Sequence, residues 1–269
     1  MTDFTLFPRL RSAFSRLFAT ALALLIIQTG KAETVVFEDT AYYVYHHDPA
    51  KEKLELWLSE GPGKPNTFPK VEARAKSAGR KLKFALNSGI FEGNFMPSGL
   101  HISEGKLITK INTKEFVKTR EGEFTPNFFL KPNGIFFLHQ SGVPGIMETG
   151  SFAKTKQEIP RLATQSGPLL VNNNTIHPIL TKDSTSRRYR NGVGFTKEGK
   201  IFFACSVLDR EIGLSNLYNF AALFRDKLKC PNALYLDGDL SYVFIDDETP
   251  PLKETNWFAG IFVVTEPAK

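Results

Sequence analysis

The sequence predicts an α+β fold built of curved, mainly antiparallel sheets with a few packed helices, and three observations support this. Short runs rich in β-branched and aromatic residues recur along the chain, among them 42–47, 53–58 and 82–87. Paired runs of the same kind flank Pro132-Asn133-Gly134, Asn172-Asn173-Asn174 and Lys197-Glu198-Gly199, as the arms of hairpins flank their turns. Helical signals are confined to two segments, too few to alternate with the strands as a parallel sheet requires.

Taken in order, the chain begins with Arg9, Arg11 and Arg16 ahead of an apolar run over 17–27 and the small residues Gly30 and Ala32. A basic, then apolar, then small-residue order is that of an export signal, so residues 1–32 are expected to be removed and 33–269 to form the working domain. An uncleaved anchor is the alternative. With the signal cleaved, no stable membrane anchor remains, and the protein is expected in the periplasm or outside the cell. Removing four basic residues against one acidic residue lowers the formal charge from +6 to +3, and the remaining Lys and Arg are interspersed with acids. Nucleic acid is therefore not an expected partner. The first helix is expected over 69–78, with Pro69 in its first turn and Gly79 beyond its end. The second is expected over 215–229, capped by Ser215, with Leu217, Phe220, Ala221, Phe224 and Leu228 on one core-facing stripe. Cys205 and Cys230 either form a bridge or stay as buried thiols. A bridge would close a loop of about 26 residues and contribute roughly 3.5 kcal/mol. The five histidines show no metal-ligand spacing. No cofactor is expected, and a divalent metal is left open.

Four islands hold the polar chemistry. In the first, the strand ending at Asn87 enters a loop with Gly89, Phe91, Glu92, Gly93 and Gly99, where backbone N–H groups can approach a ligand. In the second, Gln165, Ser166 and Gly167 precede Pro168 and a buried strand. Ser166 lacks the Gly-x-Ser-x-Gly setting of an activated nucleophile, which argues against acyl-enzyme chemistry. The third carries Arg187, Arg188 and Arg190 into a strand that contains Gly192 and Gly194. Guanidinium groups suit phosphate through paired N–H donors, although a solvated basic loop would look similar. The fourth is the most telling: Ala233, Leu234, Tyr235 and Leu236 read as a strand buried on both faces, which delivers Asp237 into a turn at Gly238, with Ser241 beyond. Asp237 either caps that turn or does chemistry at the strand mouth.

The order and spacing of these islands resemble the phosphodiester glycosidase family. Asn87-Ser88-Gly89-Ile90-Phe91, Gln165 to Pro168, Arg190 to Gly194 and Leu236 to Ser241 are similar to its four motifs, and the likeness covers most of 33–269. The chain departs from the pattern at Asn219, where many members carry a helix glutamate, and at Asp239, where a glycine is usual. The resemblance implies a sugar-phosphate or phosphoglycan substrate. Arg190 would hold phosphate, and Asn87 and Gln165 would meet sugar hydroxyls or the phosphate. Gly89 and Gly167 would allow close backbone approach. Asp237 would act at the anomeric carbon, oriented by Ser241 and joined by another acid such as Glu92. Because Asn219 removes one expected carboxylate, a non-catalytic glycan-binding protein is the alternative. A metal-assisted phosphodiesterase that cuts the P–O bond is a third reading.

Overall fold

The computed structural model describes residues 32–156, 158–250 and 256–268. Residues 1–31, which hold the expected export signal, lie outside them. No described helix is long and apolar enough to cross a membrane.

Strands β1 (Ala32–Phe37) and β2 (Thr40–His47) form a hairpin turned by Glu38 and Asp39, both at positive φ (47° and 59°). After β3 (Leu54–Leu58), helix α1 (Phe68–Ser77) starts where Thr67 accepts the Lys70 N–H at 3.3 Å. It stops at Gly79, whose φ of 68° suits a residue without a side chain. The expected start at Pro69 shifts because Thr67, two residues earlier, supplies the cap. Strand β4 (Arg80–Asn87) leads through a glycine loop to the hairpin of β5 (His101–Ser103) and β6 (Lys106–Thr109). Strands β7 (Gly134–Leu138) and β8 (Pro144–Glu148) pair next, followed by α2 (Thr149–Lys154), β9 (Leu162–Ser166), and the hairpin of β10 (Leu169–Asn172) and β11 (Thr175–Ile176). Strands β12 (Asn191–Phe195) and β13 (Ile201–Ser206) pair across Lys197 to Gly199, as the sequence predicts. Helix α3 (Leu217–Ala222) continues as π-helical turns over Leu223–Lys227, and β14 (Asn232–Asp237), β15 (Val243–Ile245) and β16 (Gly260–Pro267) complete the chain.

Two local expectations need correction. The turn at Pro132-Asn133-Gly134 is no hairpin: the run before it coils as a 3-10 turn at Asn127–Phe129, and Asn133 Nδ2 donates to the Phe128 carbonyl at 2.7 Å to hold it. The second helix is shorter than expected and is capped by Asn216, whose side chain accepts the Asn219 N–H at 2.8 Å, while Ser215 is buried before it.

The strands form three antiparallel sheets, ordered β1-β2-β13-β12-β14-β10-β11, β15-β4-β16-β3 and β6-β5-β9-β7-β8. All three feed one central core, to which they contribute Leu234 and Leu236, Phe84 and Phe262, and Phe136 and Leu162 respectively. On its other face the seven-stranded sheet packs Ala233 and Tyr235 against Phe220 and Phe224 of the α3 segment. Each buried phenyl ring there contributes about 1.5–3 kcal/mol. The rings sit close because β12 has glycines beneath them. A Cβ at Gly194 would meet Phe224 Cδ1 at 2.7 Å, and one at Gly192 would meet Phe220 Cε1 at 3.0 Å. Helix α1 covers the four-stranded sheet through Phe68, Val71 and Ala75.

The same geometry rules out the bridge. Cys205 points into the central core and Cys230 into the core beneath α3, on opposite faces of one sheet, and both are free, buried thiols.

Candidate active site

A cavity of about 600 Å³ opens where the end of β14 meets the start of β12, the α3 N-terminus and the segments around 124–130 and 179–190. Asp237, Gly238, Tyr235 and Arg190 line it, with Asn127, Asp239, Arg188 and Tyr218 around them.

Asp237 owes its place to an irregularity in the sheet. The pairing of β12 with β14 shifts register between Asn191 and Gly192, so that Asp237 stands opposite Asn191 and Tyr235 opposite Gly192. Such a bulge re-aims the side chain at a strand end. The carboxylate then has two fixed donors: Asn87 Nδ2 reaches Oδ2 at 2.9 Å, and the Gly238 N–H reaches Oδ1 at 2.7 Å. The Asn87 carboxamide is itself oriented. Its Oδ1 accepts the Tyr242 backbone N–H at 3.0 Å and Asn191 Nδ2 at 2.6 Å. A backbone N–H can only donate, so the oxygen of Asn87 faces Tyr242 and its nitrogen must face Asp237. Burial pushes the Asp237 carboxyl up to about 7, assisted by the Asp239 charge and opposed by the Gly238 and Asn87 donors. A carboxyl at that value exchanges a proton near neutral pH, as a general acid or base must. The carboxylate thus caps its own turn and also faces the cavity.

Arg190 is 3% exposed. Its Nε donates to the Ser215 carbonyl at 3.1 Å, Nη2 to the Ser186 carbonyl at 3.0 Å and Nη1 to the Tyr235 hydroxyl at 3.2 Å. All three acceptors are neutral, and among the described residues no carboxylate lies within ion-pairing distance of the guanidinium. A buried cation without a partner anion is costly, and one facing a cavity has a vacant role for an anionic ligand. Arg188 differs: it is exposed and pairs with Asp239 at 3.5 Å.

The structure thus joins three of the four distant residues singled out by sequence, Asn87, Arg190 and Asp237, around one cavity, with Gly238 beside them. Asn87 is fully buried and serves the carboxylate, leaving it no surface for a sugar hydroxyl. Gln165 lies elsewhere. Its Oε1 accepts the Leu100 and Asn112 N–H groups, both at 2.9 Å, and its Nε2 donates to the Asn112 carbonyl at 2.6 Å and Thr149 Oγ1 at 3.3 Å. Every hydrogen-bonding position of that amide is used within the protein. Ser166 Oγ donates to the Leu236 carbonyl at 2.8 Å and ties β9 to β14. Ser241 holds the turn through the Asp237 backbone carbonyl at 3.2 Å, not through the carboxylate. Gly89, at φ 145°, approaches β9 near Thr164, and a Cβ on Gly167 would strike Asn133 at 2.6 Å, so both close approaches are to protein. Phe91 packs on Phe95, with ring centroids 5.9 Å apart, and Glu92 is exposed on the loop; neither lines the cavity. The second carboxylate at the cavity is Asp239. Asn219 also lies outside the lining, where α3 presents Leu217 and Tyr218. Among the described residues no cluster of three His, Cys, Asp or Glu side chains could hold a metal ion.

Sequence reasoning missed Asn191, Tyr235 and Asn127. Asn191 follows Arg190 directly, and its polar side chain on an otherwise buried strand was the available signal. Tyr235 was read only as part of an apolar strand.

The family model described as phosphodiester glycosidase matches residues 80–254, a span that includes Asn87, Arg190 and Asp237. The uncharacterized protein YigE of Escherichia coli (strain K12) is 32% identical over 228 residues, covering 84% of this chain and 83% of that protein. Among solved structures, the catalytic domain of zebrafish N-acetylglucosamine-1-phosphodiester alpha-N-acetylglucosaminidase superposes with a TM-score of 0.59 at 17% identity, over 87% of this chain and 81% of that one. A hypothetical protein from Synechocystis superposes with a TM-score of 0.52 at 13% identity, over 87% and 61%. At those identities the structural matches speak for the fold alone. The family match and the shared sequence do more: this chain belongs to the phosphodiester glycosidase family.

Proposed function

We propose that the protein is an exported hydrolase that cleaves the glycosidic bond of a sugar-1-phosphodiester. Arg190 binds the phosphate, and Asp237 exchanges a proton or attacks at the anomeric carbon. The observation that carries this reading is the pairing, in one cavity, of a carboxyl raised to about 7 with a buried guanidinium that has no carboxylate partner among the described residues. A phosphate on the anomeric carbon is already a good leaving group, so one carboxyl and one arginine can carry chemistry that an ordinary glycoside assigns to two acids. Asn87 and Asn191 keep Asp237 aimed, and the Gly238 N–H stabilises its ionised form. Export rests on the signal pattern in residues 1–32.

Turnover of a sugar-1-phosphodiester by residues 33–269 in ¹⁸O-water tests the reaction. The label is expected in the sugar; label in the phosphate would show P–O cleavage and overturn the proposal. One observation favours a binding-only protein, namely that Asp239, the second acid at the cavity, is exposed and tied to Arg188. Saturable binding of the same diester without turnover would decide for that reading.

A further inference from the structure

We propose that the group esterified to the far side of the substrate's phosphate is a hydrocarbon chain, so that the substrate is an amphiphile, a sugar-1-phosphodiester of a long-chain alcohol. The proposal rests on the reading of the cavity as a phosphodiester site and names the group that this reading leaves open.

The cavity lining has two chemistries. Its charged side chains are Arg188 and Arg190, just before β12, and Asp237 and Asp239, at the end of β14. Six other lining residues are large and apolar: Ile90, Phe124, Leu130, Ile179, Leu180 and Leu217. Five of the six are aliphatic. An aliphatic wall offers a sugar neither a hydrogen-bond partner nor a flat ring to stack on, whereas it matches a hydrocarbon chain. Phe124 is 75% exposed and Ile179 56% exposed, so both are open to a ligand. Apolar residues exposed singly are ordinary, but these two share one cavity with four half-buried apolar neighbours.

The segments that carry this wall are fixed by the same residues that build the polar site. Asn127, three positions before Leu130, donates to the Tyr235 hydroxyl at 3.3 Å. Arg190 Nη2 holds the Ser186 carbonyl at 3.0 Å, and Asn216, the cap of α3, donates through Nδ2 to the Lys182 and Ser184 carbonyls at 3.0 and 3.2 Å. His177 accepts the Ile179 N–H on Nδ1 at 3.2 Å and the Leu180 N–H on its carbonyl at 3.0 Å. The apolar residues therefore stand ready beside the phosphate position, and a chain tethered there through its phosphate meets a preformed wall.

Titration with dimethyl phosphate and with methyl octyl phosphate, both below micelle-forming concentration and followed by ³¹P NMR, tests the proposal, because the two probes carry the same charge and differ only in chain length. A fully buried methylene multiplies affinity about four-fold, so partial burial of the octyl chain should make methyl octyl phosphate bind at least about 30-fold more tightly than dimethyl phosphate. The double variant Phe124→Ser, Ile179→Ser should cut that ratio below about ten-fold with little change in melting temperature, since both side chains are exposed. Arg190→Gln should weaken both diesters and keep their ratio. A ratio near one in the parent, with dimethyl phosphate bound, overturns the proposal and leaves the anion site standing. An unchanged ratio in the double variant, or binding of methyl octyl phosphate that is indifferent to Arg190→Gln, overturns it as well, since the chain would then lie elsewhere. If the parent binds neither diester, the anion-site reading itself fails, and this proposal with it.

Discussion

Replacing Asp237 by Asn separates the cost of this carboxyl to the fold from its use in chemistry. In the folded chain its pKa stands near 7 against an ordinary 3.8. Below both values the folded and unfolded states bind the proton equally, and nothing is lost. Between them the unfolded chain releases the proton while the folded chain keeps it, so the folded state binds more protons and stability falls as pH rises. Above about 7 the penalty is complete. A shift of about three units at ~1.4 kcal/mol each sets an upper limit of about 4 kcal/mol, and water in the cavity reduces the expected value to roughly 2–4 kcal/mol. Asn does not titrate and escapes this penalty. It has a constant cost of its own, because an amide cannot accept from both Asn87 Nδ2 and the Gly238 N–H, and the orphaned donor costs about 1–3 kcal/mol at every pH. Urea unfolding of both proteins at about pH 4 and about pH 8 should therefore show Asp237→Asn gaining roughly 2–4 kcal/mol relative to the parent across that interval. Turnover should fall at least about 100-fold at neutral pH. A stability difference that stays flat with pH, or that moves against the variant as pH rises, would refute the burial-driven shift.

Four further outcomes are expected. Arg190→Gln should weaken binding of a phosphodiester by about 10–100-fold while leaving affinity for the free sugar nearly unchanged, as measured by titration calorimetry. Asn87→Ala removes a bond that favours the ionised carboxyl, so the Asp237-dependent limb of the pH–rate profile should move up by roughly 1–2 units; movement downward would contradict the orientation deduced for that amide. Gly194→Ala places a methyl 2.7 Å from Phe224 Cδ1 and 3.0 Å from Cys230 Cβ, and the overpacking should cost about 1–3 kcal/mol in urea unfolding. Reductant should leave the melting temperature unchanged, and both thiols should react with a thiol reagent only after unfolding, since Cys205 and Cys230 are buried on opposite faces of a sheet.

Much of this fold is written locally. The run from Ala233 to Leu236 is apolar at every position because the strand is buried on both faces, Ala233 and Tyr235 under α3 and Leu234 and Leu236 in the central core. The Phe220 and Phe224 stripe marks its helix face just as directly. Less legible were features set by hydrogen bonding at a distance. Nothing in the turn at 132–134 shows that Asn133 reaches back to the Phe128 carbonyl, and the π-helical end of α3 leaves its hydrophobic stripe intact. The β1–β2 turn escaped notice because Glu38 and Asp39 take positive φ without a glycine. The site divides in the same way. Asn87, Arg190 and Asp237 stand at strand ends and are recognisable by residue type, whereas Gln165 and Ser166 have the same sequence appearance and turn inward to tie loops and strands together. Tyr235 shows the reverse error, since a residue that fits a strand core also offers its hydroxyl to Arg190 and Asn127 at the cavity wall.

The bond from Asn87 to Asp237 links residues 150 positions apart and joins a strand of the four-stranded sheet to one of the seven-stranded sheet. The acidity of Asp237 is therefore a property of the assembled molecule and of no smaller piece. A hairpin or single sheet formed early in folding would carry Asp237 as an ordinary acid, fully ionised in neutral solution. During refolding, recovery of turnover should accordingly trail the return of backbone structure, which makes activity a reporter of the final docking of the two sheets. A chain still unfolded holds every residue of the site and none of its chemistry.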